Sequence, residues 1–180
     1  HVWQVYESYK VVDPNARGSV SGTVKNYNSA ADKVTVQLIQ QGHSEPAYET
    51  IVSSGTKVGN QYTASYSISG IASGTYTMRV LKNKHVTREY TITVGAEAVT
   101  QNAEIWLLGD VNGDGFINMT DASQIERKFN GKTSVFDAGD AEIKAYRLKV
   151  ANVYFSDDNI NTTDAAQIKR YYNGKSSALN

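Results

Sequence analysis

The sequence predicts two domains, an all-β sandwich over residues 1–107 followed by a small all-α domain over residues 108–180. Two observations indicate this division. The first part alternates apolar and polar residues in short runs separated by turn residues, which is typical of antiparallel strands. The second part contains an internal repeat whose apolar residues have helical spacing. A chain of 180 residues is long enough for one or two domains.

Five segments of the first part predict strands with one apolar and one polar face. They are residues 19–24, 34–40, 62–68, 76–81 and 90–94. Short strands at this spacing favour a sandwich of the Ig-like or prealbumin-like kind, an architecture shared by many unrelated functions. A last strand at residues 103–107 is expected to run almost directly into the second domain. Trp106, Leu107 and Leu108 are therefore predicted to fix the two domains to each other.

Residues 110–121 read DVNGDGFINMTD and have the pattern of an EF-hand calcium loop, although the last residue is Asp rather than Glu and no helix precedes the loop. A hard cation takes about six to eight oxygen ligands, so a short loop must turn sharply around it, here at Gly115. The predicted ligands are the side chains of Asp110, Asn112 and Asp114, the carbonyl of Phe116, Asn118 through water, and Asp121 in bidentate fashion. Asn, Asp and Gly also dominate ordinary turns, so an Asx-rich turn that binds no ion is the alternative.

The end of this loop and the helix after it occur twice. Residues 117–134 read INMTDASQIERKFNGKTS and residues 160–177 read INTTDAAQIKRYYNGKSS, which gives 12 identities in 18 positions at an offset of 43. Apolar residues recur at helical spacing, and Asn-Gly predicts the end of each helix. The apolar positions are Ala122, Ile125 and Phe129 in one copy and Ala165, Ile168 and Tyr172 in the other. Duplication of a purely structural hairpin is the alternative, but the copied Ile-Asn-x-Thr-Asp favours two metal loops.

The second loop is degraded. Counted back from Asp164, its predicted ligands are Asn161, Asn159 and Asp157, but Asp158 replaces the turn glycine. The first position falls on Val153 unless one residue has been inserted. With the insertion Asn152 becomes the first ligand of a longer loop, and this is the alignment we predict. Because the second site has fewer carboxylates than the first, it is expected to bind calcium more weakly.

Residues 108–177 resemble a dockerin, the module by which cellulosomal proteins bind cohesins. The 43-residue offset and the degraded second loop resemble divergent ruminococcal-like dockerins, which commonly follow an X module. The resemblance implies that residues 1–107 are an X module and residues 108–180 a dockerin that holds two calcium ions. It also implies a non-catalytic, calcium-dependent interaction with a cohesin of a scaffoldin or cell-surface protein. Such an interaction assembles or anchors an extracellular polysaccharide-degrading complex, in which this chain would be a monomer apart from the cohesin.

The resemblance places the cohesin contacts at the end of each loop and on one face of the following helix. The corresponding residues here are Met119, Thr120, Glu126 and Arg127 in the first repeat, and Thr162, Thr163, Lys169 and Arg170 in the second. A solvated helix face is the alternative for the two arginines. Glu126 aligns with Lys169, and this reversal of charge predicts that a partner docks in one orientation.

Composition excludes several functions. The chain carries 18 basic and 18 acidic residues, so no charge excess indicates nucleic acid or an anionic membrane as a partner. It has no Cys, and its three His residues stand apart, so neither a catalytic triad nor a Cys-based zinc site is predicted.

The second functional hypothesis is a carbohydrate-binding or adhesin sandwich with a calcium-stabilised appendage. The 12 Tyr residues could serve it, although several have the period-two spacing of structural strand residues.

Overall fold

The computed structural model describes residues 15–155, 159–177 and 179. Its first part is β-rich, as predicted, and contains nine strands among the described residues. They are β1 Arg17–Tyr27, β2 Val34–Gln40, β3 Pro46–Val52, β4 Thr56–Val58, β5 Gln61–Ala72, β6 Gly74–Leu81, β7 Arg88–Val94, β8 Ala98–Thr100 and β9 Ala103–Glu104. One sheet has the order β4-β5-β1-β8 with β9 also beside β1, and the other has the order β3-β2-β6-β7. Strands β8 and β9 run parallel to β1, and the other pairs are antiparallel.

The two sheets share one apolar core. Strand β2 supplies Val36 and Leu38, β1 supplies Val20 and Val24, and β6 supplies Met78, all of them fully buried. Alternate residues of each strand point inward, so the period of two in the sequence becomes one buried face per sheet. All five segments predicted as strands form strands, whereas the predicted last strand at residues 103–107 is shortened to β9, Ala103–Glu104. Strand β3 was not predicted, because it is an edge strand that starts at a Pro and has only partly buried side chains.

A lysine side chain is buried beside this core. Four oxygens surround the Lys82 ammonium and share its three N–H groups: Asn26 Oδ1 and the Tyr27 carbonyl at 2.8 Å, and the Ser29 carbonyl and Ser54 Oγ at 2.9 Å. Burial lowers the pKa of Lys82, and the charge of Asp32 opposes part of this effect. The ammonium thus joins the end of β1 to the segment between β3 and β4.

The second part of the chain is helical. It contains α1 Met119–Phe129, a 3₁₀ turn at Val135–Asp137, α2 Ala141–Ala151 and α3 Thr162–Tyr172. Helices α1 and α3 pack against each other through Ile125 and Ile168, which are both fully buried. Both helices end at the predicted Asn-Gly pairs, where Gly131 and Gly174 have φ values of 64° and 67°. No helix in the described part of the chain has the length and apolar character needed to cross a membrane.

The apolar stripe of each repeat helix is shorter than predicted. Phe129 and Tyr172, which occupy equivalent positions, are 58% and 55% exposed. The buried core residues of α1 and α3 end at Ile125 and Ile168, so the last helical turn projects beyond the shared core. These two aromatic side chains therefore lie on the surface rather than in the core.

Helix α2 faces the sandwich. Tyr146 Oη donates to the Val86 carbonyl at 2.7 Å and accepts from the Trp106 N–H at 3.0 Å. Arg88 and Glu142 form an ion pair at 3.1 Å. Trp106 and Leu107 are buried in a cluster with Tyr146, as expected for residues that join two parts of a protein. Tyr146 and Glu142 therefore place α2 against the sandwich.

Candidate metal centre and docking face

The first loop is built around the buried Asp110 carboxylate. Its Oδ1 accepts from the N–H groups of Gly113 at 2.9 Å and Asp114 at 3.1 Å, and its Oδ2 accepts from Gly115 at 2.8 Å. Gly113 and Gly115 have φ values of 77° and 83°, which L side chains rarely adopt. The two glycines therefore let the chain reverse around one carboxylate.

Asp121 closes the same loop from the first turn of α1. Its Oδ1 accepts from the N–H groups of Val111 at 2.8 Å and Asn112 at 3.2 Å. Its Oδ2 accepts from the N–H of Asn118 at 2.9 Å. One fully buried carboxylate thus ties both ends of the loop to the start of the helix.

The two carboxylates lie in an environment that disfavours negative charge. Burial raises the pKa of Asp110 to about 7, and the neighbouring charges of Asp121 and Asp114 add to the shift. Burial raises the pKa of Asp121 to about 6, again with a contribution from Asp114. Within the described residues, none of the ion pairs involves any of these three aspartates. The loop therefore concentrates acidic groups that no basic side chain neutralises.

The other predicted ligands of the first loop have local partners. Asn112 Nδ2 donates to Asp114 Oδ2 at 2.8 Å, and the Phe116 N–H donates to Asp114 Oδ1 at 2.9 Å. Asn118 Oδ1 accepts from the Thr120 N–H at 2.7 Å and caps α1. Asn118 is thus a helix cap as well as a predicted ligand, since Asn-x-x-Asp before a helix has the spacing of a capping box. Asn161 caps α3 in the same way.

The fit of a metal ion can be tested on these donors. Among residues 15–155, 159–177 and 179, no three His, Cys, Asp or Glu side chains converge as they would around an ion. The oxygens of Asp110 and Asp121 accept backbone N–H groups, but a carboxylate oxygen can accept more than one bond. Carboxylate, amide and carbonyl oxygens are the donors that Ca²⁺ prefers. The residues of the first loop therefore fit a calcium ion by their chemistry, and their arrangement around it remains a prediction.

In the second loop Asp164 accepts the same set of bonds that Asp121 accepts in the first. Asp164 Oδ1 accepts from the N–H groups of Val153 and Tyr154, both at 3.0 Å, and Oδ2 accepts from Asn161 at 2.9 Å. Val153 therefore corresponds to Val111, and both side chains are fully buried. This correspondence makes Asn152 the equivalent of Asp110 and the second loop one residue longer than the first.

The metal-ligand roles of the second loop stay predictions. Asn152 lies at the end of α2, where its backbone N–H donates to Leu148 at 3.1 Å. Asn159 is exposed, and Asn161 caps α3. Asp157 lies outside the described residues.

The residues predicted to contact a partner are mostly exposed. They are Met119, Thr120 and Arg127 in the first repeat and Thr162, Thr163 and Arg170 in the second. Glu126 and Lys169 differ, because they form an ion pair with each other between α1 and α3. The repeat offset puts these two residues at equivalent positions, so they meet where the two helices pack together. Phe116, whose carbonyl is a predicted ligand, has a side chain close to Met119 in the sequence, and the residue is 57% exposed.

Comparison with known proteins bears on this loop. Residues 108–144 match the family model of the dockerin type I domain, which spans the first loop, α1, the 3₁₀ turn and the start of α2. The predicted likeness to a dockerin is thus confirmed for the first repeat. Comparison with curated proteins gives no match.

Two solved structures are similar to a longer stretch of the chain. They are an N-terminal and a C-terminal interface mutant of a type II cohesin–X-dockerin complex from Acetivibrio cellulolyticus. Each is 20% identical to this chain in sequence. Each alignment covers 83% of this chain and 92% of the solved chain, with a TM-score of 0.30.

Proposed function

We propose that residues 108–180 are a calcium-dependent dockerin that binds a cohesin, and that residues 1–107 are an X module of Ig-like type. The match of residues 108–144 to the dockerin type I domain carries this proposal, since it falls on the loop with the buried carboxylates. The function is recognition without catalysis. It would assemble or anchor an extracellular complex that degrades polysaccharides.

Two calcium ions would be held by the repeated loops. In the first site the ligands would be Asp110, Asn112, Asp114, the Phe116 carbonyl, Asn118 and Asp121, and in the second they would be Asn152, Asp157, Asn159, Asn161 and Asp164. A bound ion supplies the positive charge that the buried carboxylates lack. Asp121 links the loop to the first turn of α1, so a well-ordered loop fixes the position of Met119 and Thr120 at that turn. This is how calcium would control an exposed docking face.

The predicted cohesin-contact residues and their neighbours, which form the proposed docking face, differ in chemistry between the two repeats. The first repeat exposes Phe116 and Met119, and the second has Asn159 and Thr162 at the aligned positions. Exposed apolar side chains next to polar ones favour a protein partner with an apolar contact patch. A cohesin would therefore contact the first repeat through apolar side chains and the second through polar ones, which supports one docking orientation.

The alternative, a sugar-binding sandwich, has less support. Tyr62, Tyr66 and Tyr76 of the sandwich are buried, so they offer no aromatic platform to a saccharide. A pull-down of the intact chain on a panel of immobilised cohesins and on insoluble polysaccharide separates the two functions. Retention by a cohesin alone supports the proposal, and retention by polysaccharide alone contradicts it.

The raised pKa values predict how stability depends on pH. The folded-state values of about 7 for Asp110 and about 6 for Asp121 lie above the ordinary value. Their contribution to stability is therefore present at acid pH and is lost as the pH rises through those values. In excess chelator the melting temperature should fall from about pH 4, near the ordinary Asp pKa, to about pH 7, the higher of the folded-state values. Bound calcium favours the ionised carboxylates, so the fall should shrink or reverse in calcium, and Asp110→Asn should flatten it in chelator. Identical profiles with and without calcium would count against the metal site.

The Glu126–Lys169 ion pair predicts a separation of stability from recognition. Glu126→Lys alone brings two ammonium groups together and should cost about 1 kcal/mol or less, because both side chains are more than a third exposed. The double variant Glu126→Lys/Lys169→Glu restores the pair in reverse, so its melting temperature should match that of the parent. If a partner reads these charges in one orientation, the double variant should still bind it more weakly. If the double variant binds the partner with the affinity of the parent chain, the partner contacts neither charge.

A further inference from the structure

We infer that the sandwich shapes the first calcium loop, and that Tyr27, Asn60 and Trp106 act as positioning residues that strengthen calcium binding at that loop. The inference rests on the proposed calcium site. None of the three residues belongs to the loop, and two of them lie more than fifty positions away in the sequence. All three touch the segment from Gly113 to Gly115, where the loop reverses direction.

The side chain of Tyr27 packs against the loop at Gly113 and Gly115, where the loop turns. Its Oη lies 3.1 Å from Glu104 Oε1 and 3.4 Å from the Gly113 carbonyl, so the hydroxyl hydrogen can be donated to either oxygen. A Cβ atom at Gly115 would lie 2.3 Å from Tyr27 Cδ1, which is closer than real contacts allow. Gly115 is therefore required twice, by its positive φ and by the tyrosine ring packed against it.

The position of Tyr27 is itself fixed. Its N–H donates to His85 Nε2 at 3.0 Å, and its carbonyl accepts from the Lys82 ammonium at 2.8 Å. Because Nε2 of His85 is an acceptor, Nδ1 carries the hydrogen, which it donates to the Asn83 carbonyl at 2.8 Å. The connection between β6 and β7 thus holds the backbone of Tyr27 from both sides. A residue held in this way can impose its position on the loop.

Asn60 and Trp106 complete the contact. Asn60, in the turn between β4 and β5, donates Nδ2–H to the Asp114 carbonyl at 3.0 Å. The Trp106 indole lies against Gly113, where an added Cβ atom would be 2.7 Å from Cε2. Trp106 is buried, and its ring packs on Tyr146 at a centroid distance of 5.4 Å. The end of β1, the turn between β4 and β5 and the segment that follows β9 therefore meet one short stretch of the metal loop.

These contacts have an energetic consequence. A loop that is free to move loses conformational entropy when it closes around an ion, and a loop that is already held loses less. The contacts described above all lie on the first loop, so the sandwich should strengthen the first site and leave the second unaffected. The second site of the same chain is thus an internal reference. By linkage, calcium at the first site should in turn stabilise the contact with the sandwich.

The test uses the intact chain with Trp3→Phe, which leaves Trp106 as the single tryptophan. Calorimetric titration with calcium measures both sites, and Trp106 fluorescence follows the first. Asn60→Ala should weaken the first site about three- to tenfold, the range expected for one lost hydrogen bond, with the second site unchanged. Tyr27→Phe, which removes only the hydroxyl, should have a smaller effect in the same direction. The matched control Asn102→Ala removes hydrogen bonds to Thr23 within the sandwich and should change neither site.

The outcomes separate this inference from the proposed function. If the Trp3→Phe chain binds no calcium, the proposed function itself fails. If that chain binds two ions but Asn60→Ala and Tyr27→Phe leave the first site unchanged, only the inference is overturned. Equal weakening of both sites, or a fall in melting temperature in chelator that accounts for the loss, would also overturn it. A fluorescence change that saturates with the first site and weakens in Asn60→Ala supports it.

Discussion

Asp121→Ala should lower the stability of the chain by about 3 kcal/mol or more and remove calcium binding at the first site. The substitution leaves three N–H groups without their acceptor, that of Val111 in a buried position and those of Asn112 and Asn118 in partly buried ones. A buried donor without a partner costs about 1–3 kcal/mol, and the variant also lacks a ligand that closes the loop. Chemical denaturation in chelator measures the first effect, and the rise of the melting temperature in calcium measures the second.

Asp137→Ala is the matched control for this variant. Asp137 also closes a capping box, where it accepts from the Ser134 N–H at 2.8 Å, but it is exposed and lies outside both loops. Its loss should cost about 1 kcal/mol or less. Calcium should stabilise the control as it stabilises the parent chain. Equal losses in the two variants would show that Asp121 is only a helix cap.

Lys82→Met should destabilise the sandwich by about 3 kcal/mol or more. Methionine fills a similar volume, so the loss isolates the ammonium and the hydrogen bonds that it shares among four oxygens. The buried oxygens of Asn26 and Ser54 would remain without this donor, and the backbone of Tyr27 would lose one of its two supports. Urea unfolding of the intact chain, followed by circular dichroism, measures the change.

Lys57→Met provides the comparison for Lys82→Met. Both ammonium groups lie over the Tyr62 ring, at 5.3 Å for Lys82 and 5.5 Å for Lys57, but Lys57 is exposed. Its substitution should change the free energy of unfolding by about 0.5 kcal/mol or less. A similar small effect for Lys82→Met would mean that its buried hydrogen bonds contribute little.

The parts of the fold that depend on local pattern could be predicted from the sequence. Strands β1, β2, β5, β6 and β7 follow period-two alternation, and α1 and α3 follow the repeat and end at Asn-Gly. Strand β3 lies at an edge, where half-exposed side chains weaken the alternating signal. Phe129 and Tyr172 fit the helical period, but where the contact between two helices ends is a property of packing and not of one helix.

The local part of the candidate site could also be predicted from the sequence, whereas its long-range contacts could not. The spacing of oxygen-bearing residues and the turn glycine locate the first loop, because these requirements lie within twelve consecutive residues. The contacts of Tyr27 and Asn60 with that loop join residues 86 and 54 positions apart, and nothing in either neighbourhood indicates them. The Glu126–Lys169 pair had a usable signal. When two copies of a helix pack against each other, equivalent positions can meet, so opposite charges there predict an ion pair.

Calcium dependence of cohesin binding tests the central claim most directly. The intact chain is titrated against a cohesin retained in the pull-down, first in calcium and then in excess chelator, with Asp121→Ala measured alongside. We predict saturable binding in calcium, its loss in chelator, its return when calcium is restored, and weak binding by Asp121→Ala in either condition. Equal affinity in calcium and in chelator, or the absence of binding to every cohesin of a broad panel while the chain is folded and calcium-loaded, would contradict the account.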